Sequence, residues 1–174
     1  MKIISLELAK KLKESADKVG YVLPESENLW GKKWTSYQGI DKYEGVISLE
    51  KYRKHMDEIP HSVFVENFGE GIGRISAWDA QEKLINKLSY KAYTTDELLG
   101  ILPHGWLSNG FGTLNLSIIK QFDSGDWLVG YFKGTHKGGV DCTRMLDIEK
   151  FEGKNLVELL GNLYEYLISN KLIK

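Results

Sequence analysis

The chain has 174 residues, and its acidic and basic side chains nearly balance at a formal net charge of −1. A hydrophobic share of 42% and a charged share of 27% are typical of a globular protein and exclude intrinsic disorder. The basic runs are too short to neutralise a phosphate backbone, which disfavours generic nucleic-acid binding.

The cysteine content and the lack of a long apolar run indicate the compartment of the protein. Cys142 is the single cysteine, so no disulfide can form within the chain, as is usual in a reducing compartment. The first residues turn polar too early for a signal peptide, and no apolar run is long enough to span a bilayer. We therefore expect a soluble, cytoplasmic protein that does not enter the membrane.

The N-terminal segment predicts a helix from Leu6 to Lys18. Ser5 is a suitable N-cap, the apolar residues recur at helical spacing, and Gly20 is placed to end the helix. The following residues, 21–47, combine aromatic residues and glycines without a clear period, and we interpret them as strand and loop.

The middle of the chain predicts further helices and one strand. A helix is expected from Leu49 to Glu58, a strand from Ser62 to Phe68, and a helix from the cap Ser76 to Leu88. Thr94 and Glu97 have the spacing of a capping box, which predicts a short helix that Pro103 ends.

The last third predicts a sheet covered by a helix. Residues 114–118 and 127–133 both alternate between apolar and polar, and the turn residues between them predict a hairpin. A third strand is expected over 140–146. Leu156, Leu160, Leu163 and Leu167 form the apolar stripe of a final helix. We predict an α+β fold, with an antiparallel sheet of three to five strands, helices mainly on one face and the C-terminal helix across the sheet.

Segments at both ends of the chain resemble small proteins of bacteriophages and prophages. The resemblance is carried by residues 5–14, 93–99, 127–132 and 155–168, and it has no counterpart for residues 20–75. It implies a phage or mobile-element origin and no particular activity. We therefore expect a single compact domain over residues 1–174, in which residues 20–75 are an elaboration.

Three motifs in the sequence have some features of catalytic or metal-binding sites. The glycine-rich segment 69–74 lacks the Gly-Lys-Ser/Thr ending of a phosphate loop, so a strand-to-helix turn is favoured. Cys142 lies near His136, but strand alternation favours a buried cysteine over a nucleophile. His55 and His61 lack the cysteine pair of a zinc site. The sequence thus predicts no metal site, no cofactor and no catalytic group, although a small enzyme using His104 and His136 stays open.

Aromatic residues next to glycines are the best candidates for a recognition surface. Trp106 and Phe111 lie on the predicted loop 104–112, where packing over the core is the alternative explanation. Trp30, Trp34 and Tyr37 lie in the segment 21–47, and the lysines between the two tryptophans would suit an anionic or carbonyl-rich partner.

Three functions follow from these observations. We favour a phage or prophage accessory protein that binds and modulates a host protein in the bacterial cytoplasm without catalysis. The alternatives are a small-molecule-binding protein or hydrolase-like enzyme using His104 and His136, and a structural or assembly subunit. The sequence does not indicate an oligomeric state.

Overall fold

The computed structural model describes residues 2–32, 43–57, 65, 77–104, 114–133 and 150–173. The helices among these residues are α1 (Leu6–Val19), α2 (Leu49–Asp57), α3 (Ala77–Leu88), α4 (Thr95–Ile101) and α5 (Leu156–Ser169). The strands are β1 (Asn28–Lys32), β2 (Tyr43–Ser48), β3 (Ser89–Lys91), β4 (Leu114–Lys120), β5 (Trp127–Lys133) and β6 (Phe151–Gly153). They form two three-stranded antiparallel sheets, which confirms the predicted α+β fold.

The chain divides into two compact units. The first comprises Met1–Pro24 and Tyr93–Lys174, and the second comprises Glu25–Ala92. The second unit contains most of the segment 20–75, for which the resemblance to phage proteins has no counterpart. The expectation of a single domain stays a prediction.

In the first unit, α5 packs against the sheet β4-β5-β6. It contacts β5 and β6 on one side and the helices α1 and α4 on others. The predicted stripe of leucines is buried at Leu160, Leu163 and Leu167, and the adjacent Tyr164 and Ile168 are buried as well. The C-terminal helix therefore lies across the sheet as predicted, but it buries a wider face than the stripe indicated because helices cover its other sides.

The start and the end of α1 follow from local hydrogen bonds. The Ser5 hydroxyl accepts from the Leu8 N–H at 3.3 Å, which satisfies one of the free donors of the first turn. Gly20 has a φ of 73°, and the Tyr21 N–H donates to the Ala16 carbonyl at 2.8 Å. This left-handed ending, the Schellman motif, favours glycine and confirms the predicted helix stop.

A glycine sets the distance between α1 and α5. A Cβ added at Gly161 would lie 2.7 Å from Leu8 Cδ2 and 2.9 Å from Ile4 Cγ2. Both of these side chains are buried, so they have little room to move. The two helices approach each other this closely only because Gly161 has no side chain.

The second unit has one sheet face covered by helices. The sheet order is β2-β1-β3, with the central strand β1 paired on both sides. The residues of its core come from β1, α2 and α3, namely Leu29, Tyr52, Ala80, Leu84, Ile85 and Leu88. The helices α2 and α3 also contact each other.

Most local predictions match the described residues. The hairpin is confirmed, with Leu114 paired to Lys133 and Lys120 paired to Trp127. The capping box is confirmed, because Thr94 and Glu97 exchange both expected hydrogen bonds. The strand predicted over 62–68 is wrong at Val65, which is helical, and its other residues lie outside the described ones. The strand predicted over 140–146 also lies outside them, and β6 is the third strand of this sheet.

Candidate recognition surface

Alternation along β1 assigns its side chains to two faces of the sheet. Leu29 is fully buried in the core of the second unit. Gly31 faces the same way, because a Cβ there would lie 2.8 Å from Cε2 of the buried Tyr52. Trp30 lies between these two residues in sequence, so it projects from the opposite face of the sheet.

Trp30 has an apolar neighbour on each adjacent strand. It is directly opposite Val46 of β2 and directly opposite Tyr90 of β3. Residues that are paired in this way carry their side chains on the same face, within contact distance. The three side chains therefore form a row across the sheet on the face opposite the helices, which we call the aromatic row.

The aromatic row is only partly covered. Trp30 and Tyr90 are half-buried, and Val46 is 37% exposed. Scattered apolar side chains are normal on protein surfaces, whereas adjacent ones that are partly covered form a patch. Indole and phenol rings combine a large apolar area with a polar end, which is why they are frequent in binding surfaces.

The backbone holds the row in place on both sides. β1 is hydrogen-bonded to β2 and β3, and the Ala92 N–H extends the pairing by donating to the Asn28 carbonyl at 2.9 Å. The register shifts between Trp30 and Lys32, at the position where Gly45 of β2 has a φ of 116°. An irregularity of this kind changes the twist of a strand locally and is frequent next to functional sites. Here it lies beside Val46.

The other predicted site residues are less informative. Trp34, Tyr37, Trp106 and Phe111 lie outside the described residues, so their place in a recognition surface stays a prediction. The structure therefore describes one member of the predicted set, Trp30, and adds Val46 and Tyr90 beside it. The sequence did not single out these two because the pairing joins residues far apart in the chain.

Of the two histidines considered for an enzyme, His104 lies within the described part of the chain and His136 lies outside it. His104 is exposed, and its carbonyl accepts from the Leu116 N–H at 3.4 Å. His136, Cys142 and the glycine-rich segment 69–74 lie outside that part. The same is true of His61, while His55 lies on α2.

Phe122 is a further exposed aromatic residue, which no sequence pattern indicates. It lies in the connection between β4 and β5 and is fully exposed. Lys120, two residues before Phe122, ends β4, and its ammonium lies 5.5 Å from the ring centre of Trp127. Phe122 is a single exposed ring, unlike the adjacent side chains of the aromatic row, and so it gives a weaker indication of binding.

Glu165 on α5 is a buried carboxylate of the first unit. Its Oε1 accepts from the Ser15 hydroxyl at 2.6 Å and from the Ser169 hydroxyl at 2.5 Å. Its Oε2 lies 2.9 Å from the Lys11 ammonium. Burial opposes ionisation here, but these hydrogen bonds outweigh it and hold the pKa of Glu165 below its usual value. Both oxygens are occupied, so we interpret this cluster as a tether between α1 and α5.

Neither a metal site nor a membrane span is found among the described residues. They contain no group of three or more His, Cys, Asp or Glu side chains that could hold a metal ion. Within the same ranges, no helix combines the length and apolar character needed to cross a bilayer.

Comparison of the chain with protein-family models, with curated proteins and with solved structures found no match. No relative therefore supplies a function for the aromatic row, and the resemblance to phage proteins stays a prediction.

Proposed function

We propose that this protein is a non-enzymatic binding protein whose partner is another protein that docks on the aromatic row. The observation that carries the proposal is the side-by-side placement of Trp30, Tyr90 and the exposed Val46 on the sheet face opposite the helices. Trp and Tyr are the side chains most enriched at the energetic centres of protein interfaces. The phage-like segments of the sequence support a role as a phage or prophage accessory protein that modulates a host protein.

A protein partner suits this surface better than a nucleic acid does. The row is composed of two aromatic rings and one aliphatic side chain, and the formal net charge of the chain is −1. Nucleic-acid binding depends largely on lysine and arginine contacts to phosphates, and such proteins usually carry a basic face. An apolar centre that excludes water is instead typical of the core of a protein interface.

The central strand makes the row suitable for binding with little reorganisation. Because β1 is paired on both sides, Trp30 is presented by a backbone that is already ordered before a partner arrives. Ordering flexible groups on association costs free energy, so a preformed surface gains affinity.

The test replaces the exposed member of the row with a charged residue. In Val46→Lys, the ammonium would lie beside Trp30 within the proposed interface, where its desolvation opposes binding. The control is Asn115→Lys, because Asn115 is exposed on strand β4 and belongs to the first unit. Urea unfolding of both variants checks that the folded state is retained.

Partners are first captured from a lysate of the native bacterial cell with wild-type protein, then purified, and their affinities are measured by calorimetry. We expect Val46→Lys to weaken binding by about tenfold or more, which corresponds to about 1.4 kcal/mol, while Asn115→Lys binds like wild type. The proposal is wrong if the two variants bind equally well, or if no partner binds at micromolar concentration.

A further inference from the structure

The helices α1 and α5 of the first unit run parallel and end side by side. Near their starts, the Ser5 N–H and hydroxyl both donate to the Glu158 carboxylate. Further along, Ser15 contacts Glu165, as described above. Because the contacts advance along both helices in the same direction, their C-terminal ends lie at the same end of the unit.

Both helices end with the same hydrogen-bond motif. In α1 the left-handed residue is Gly20, and in α5 it is Lys171, with a φ of 55°. The Leu172 N–H donates to the Leu167 carbonyl at 2.8 Å, as the Tyr21 N–H does to the Ala16 carbonyl. These bonds satisfy carbonyls that a helix end otherwise leaves without a donor.

A groove of ≈ 560 Å³ lies at these paired helix ends. Its size is within the range of sites for small molecules. The groove is lined mainly by aliphatic side chains, with one phenol and one ammonium group, and the lining residues are Val19, Gly20, Tyr21, Val22, Lys171 and Ile173.

The polar groups of the groove are donors. The Tyr21 hydroxyl accepts from the Tyr164 hydroxyl at 3.2 Å, and among the described residues no group accepts the proton of Tyr21. Lys171 is exposed and has no ion pair within the same residues. Backbone N–H groups of the two endings already donate to the carbonyls of Ala16, Asp17, Tyr166, Leu167 and Ile168. The side-chain donors left for a ligand are the Tyr21 hydroxyl and the Lys171 ammonium, and they pair with acceptors.

Lys171 occupies a backbone conformation that favours glycine. A residue with a Cβ is strained at a φ of 55°, and glycine is the usual residue at this position of the motif. Gly20 shows the unstrained form of the same ending on the neighbouring helix. A strained residue whose side chain lines a groove is a reason to look for function there, and what Lys171 adds relative to glycine is a positive charge.

We propose that this groove binds a small apolar carboxylate. Its hydrocarbon part packs on Val19, Val22 and Ile173, and its carboxylate accepts from the Tyr21 hydroxyl and the Lys171 ammonium. The ends of both helices carry partial negative charge, which repels an anion. Lys171 offsets this repulsion, which explains why a charged residue is useful at a position where glycine is less strained.

The test measures binding of decanoate, below its micelle concentration, by calorimetry. The main variant is Lys171→Gly, which removes the charge and also relieves the backbone strain, so its resistance to urea should match or exceed that of wild type. Lys154→Gly is the matched control, because Lys154 is exposed and precedes the opposite end of α5. Tyr21→Phe removes the second donor, and 1-decanol tests whether the carboxylate is needed.

We expect wild type and Lys154→Gly to bind decanoate with the same affinity and 1-decanol much more weakly. Lys171→Gly and Tyr21→Phe should each bind decanoate about fivefold to tenfold more weakly, as expected for the loss of a hydrogen bond to a charged group. Equal binding of decanoate and 1-decanol, unchanged affinity in Lys171→Gly, or no decanoate binding by wild type would each overturn the proposal. None of these results depends on the aromatic row, which belongs to the other unit.

Discussion

The contact between α1 and α5 can be tested by adding a single methyl group. Gly161 is buried, and the Cβ of Gly161→Ala would lie 2.7 Å from Leu8 Cδ2 and 2.9 Å from Ile4 Cγ2. Ordinary carbon–carbon contacts are about 3.5–4.0 Å, so the helices or these side chains must shift by close to 1 Å. Adding a methylene-sized group to a packed core typically costs about 1–3 kcal/mol.

A second effect opposes this cost. Alanine favours a helix over glycine by about 0.5–1 kcal/mol, because glycine loses more backbone freedom on folding. Subtracting the helix preference from the packing cost leaves about 0–2.5 kcal/mol, and we expect Gly161→Ala to be destabilised by about 1 kcal/mol, near the middle of this range.

The chain contains a matched control for this comparison. Gly100 lies in α4, is exposed, and has no atom within 4 Å of the position where a Cβ would be. Gly100→Ala therefore keeps the helix preference without the steric cost, and we expect a gain of about 0.5–1 kcal/mol. The two variants receive the same substitution and should change stability in opposite directions.

The assay is urea unfolding followed by circular dichroism, with the free energy of unfolding taken from the midpoint and the slope. If Gly161→Ala is as stable as Gly100→Ala, the close approach of the two helices is not as described. In that case the shared helix ends that form the groove would also be in question.

Two further predictions concern other parts of the chain. Gly31→Ala should destabilise the second unit by about 1–3 kcal/mol, because the new Cβ would lie 2.8 Å from the buried ring of Tyr52. We expect faster hydrogen exchange of the backbone amides of β1 in this variant, and unchanged exchange would contradict the prediction. Glu165→Gln should be less stable than wild type at pH 7 in urea unfolding. Because the folded pKa of Glu165 lies below the ordinary value of 4.5, the stability that its carboxylate adds is present above pH 4.5 and is lost as the pH falls through the folded pKa. The difference between wild type and Glu165→Gln should therefore shrink below pH 4.5, and a difference that stays constant would show that Glu165 is not held as an anion by its neighbours.

The proposed site was only partly predictable from sequence. Trp30 was selected because it lies near glycines, whereas Val46 and Tyr90 gave no signal of their own. They join Trp30 through strand pairing, which brings together residues 16 and 60 positions away in the chain. Single-sequence patterns show which residues alternate along one strand, but they do not show which strand lies beside it.

The burial of the Glu165 carboxylate was also only partly predictable from sequence. Glu165 is one of three residues between Leu163 and Leu167 of the predicted stripe, and among nearby residues Ser169 supplies one hydrogen bond to its carboxylate. The other partners are Ser15 and Lys11 on α1, whose hydrogen bonds and charge compensate for removing the carboxylate from water. The cluster was not predictable from sequence because its members on α1 lie about 150 positions from Glu165, and only Ser169 is close to it in the chain.

The sequence by itself determined the features that depend on interactions within a few residues. Ser5 caps α1, Gly20 ends it, Thr94 and Glu97 form a capping box, and β4 and β5 alternate as a hairpin. Only the tertiary structure decided which elements lie side by side. This packing creates the aromatic row, the parallel pair of helices α1 and α5, and the groove at the end of that pair. The physical reason is that a cap or a hairpin is stabilised by neighbours along the chain, whereas these surfaces depend on contacts that form only when distant segments pack together.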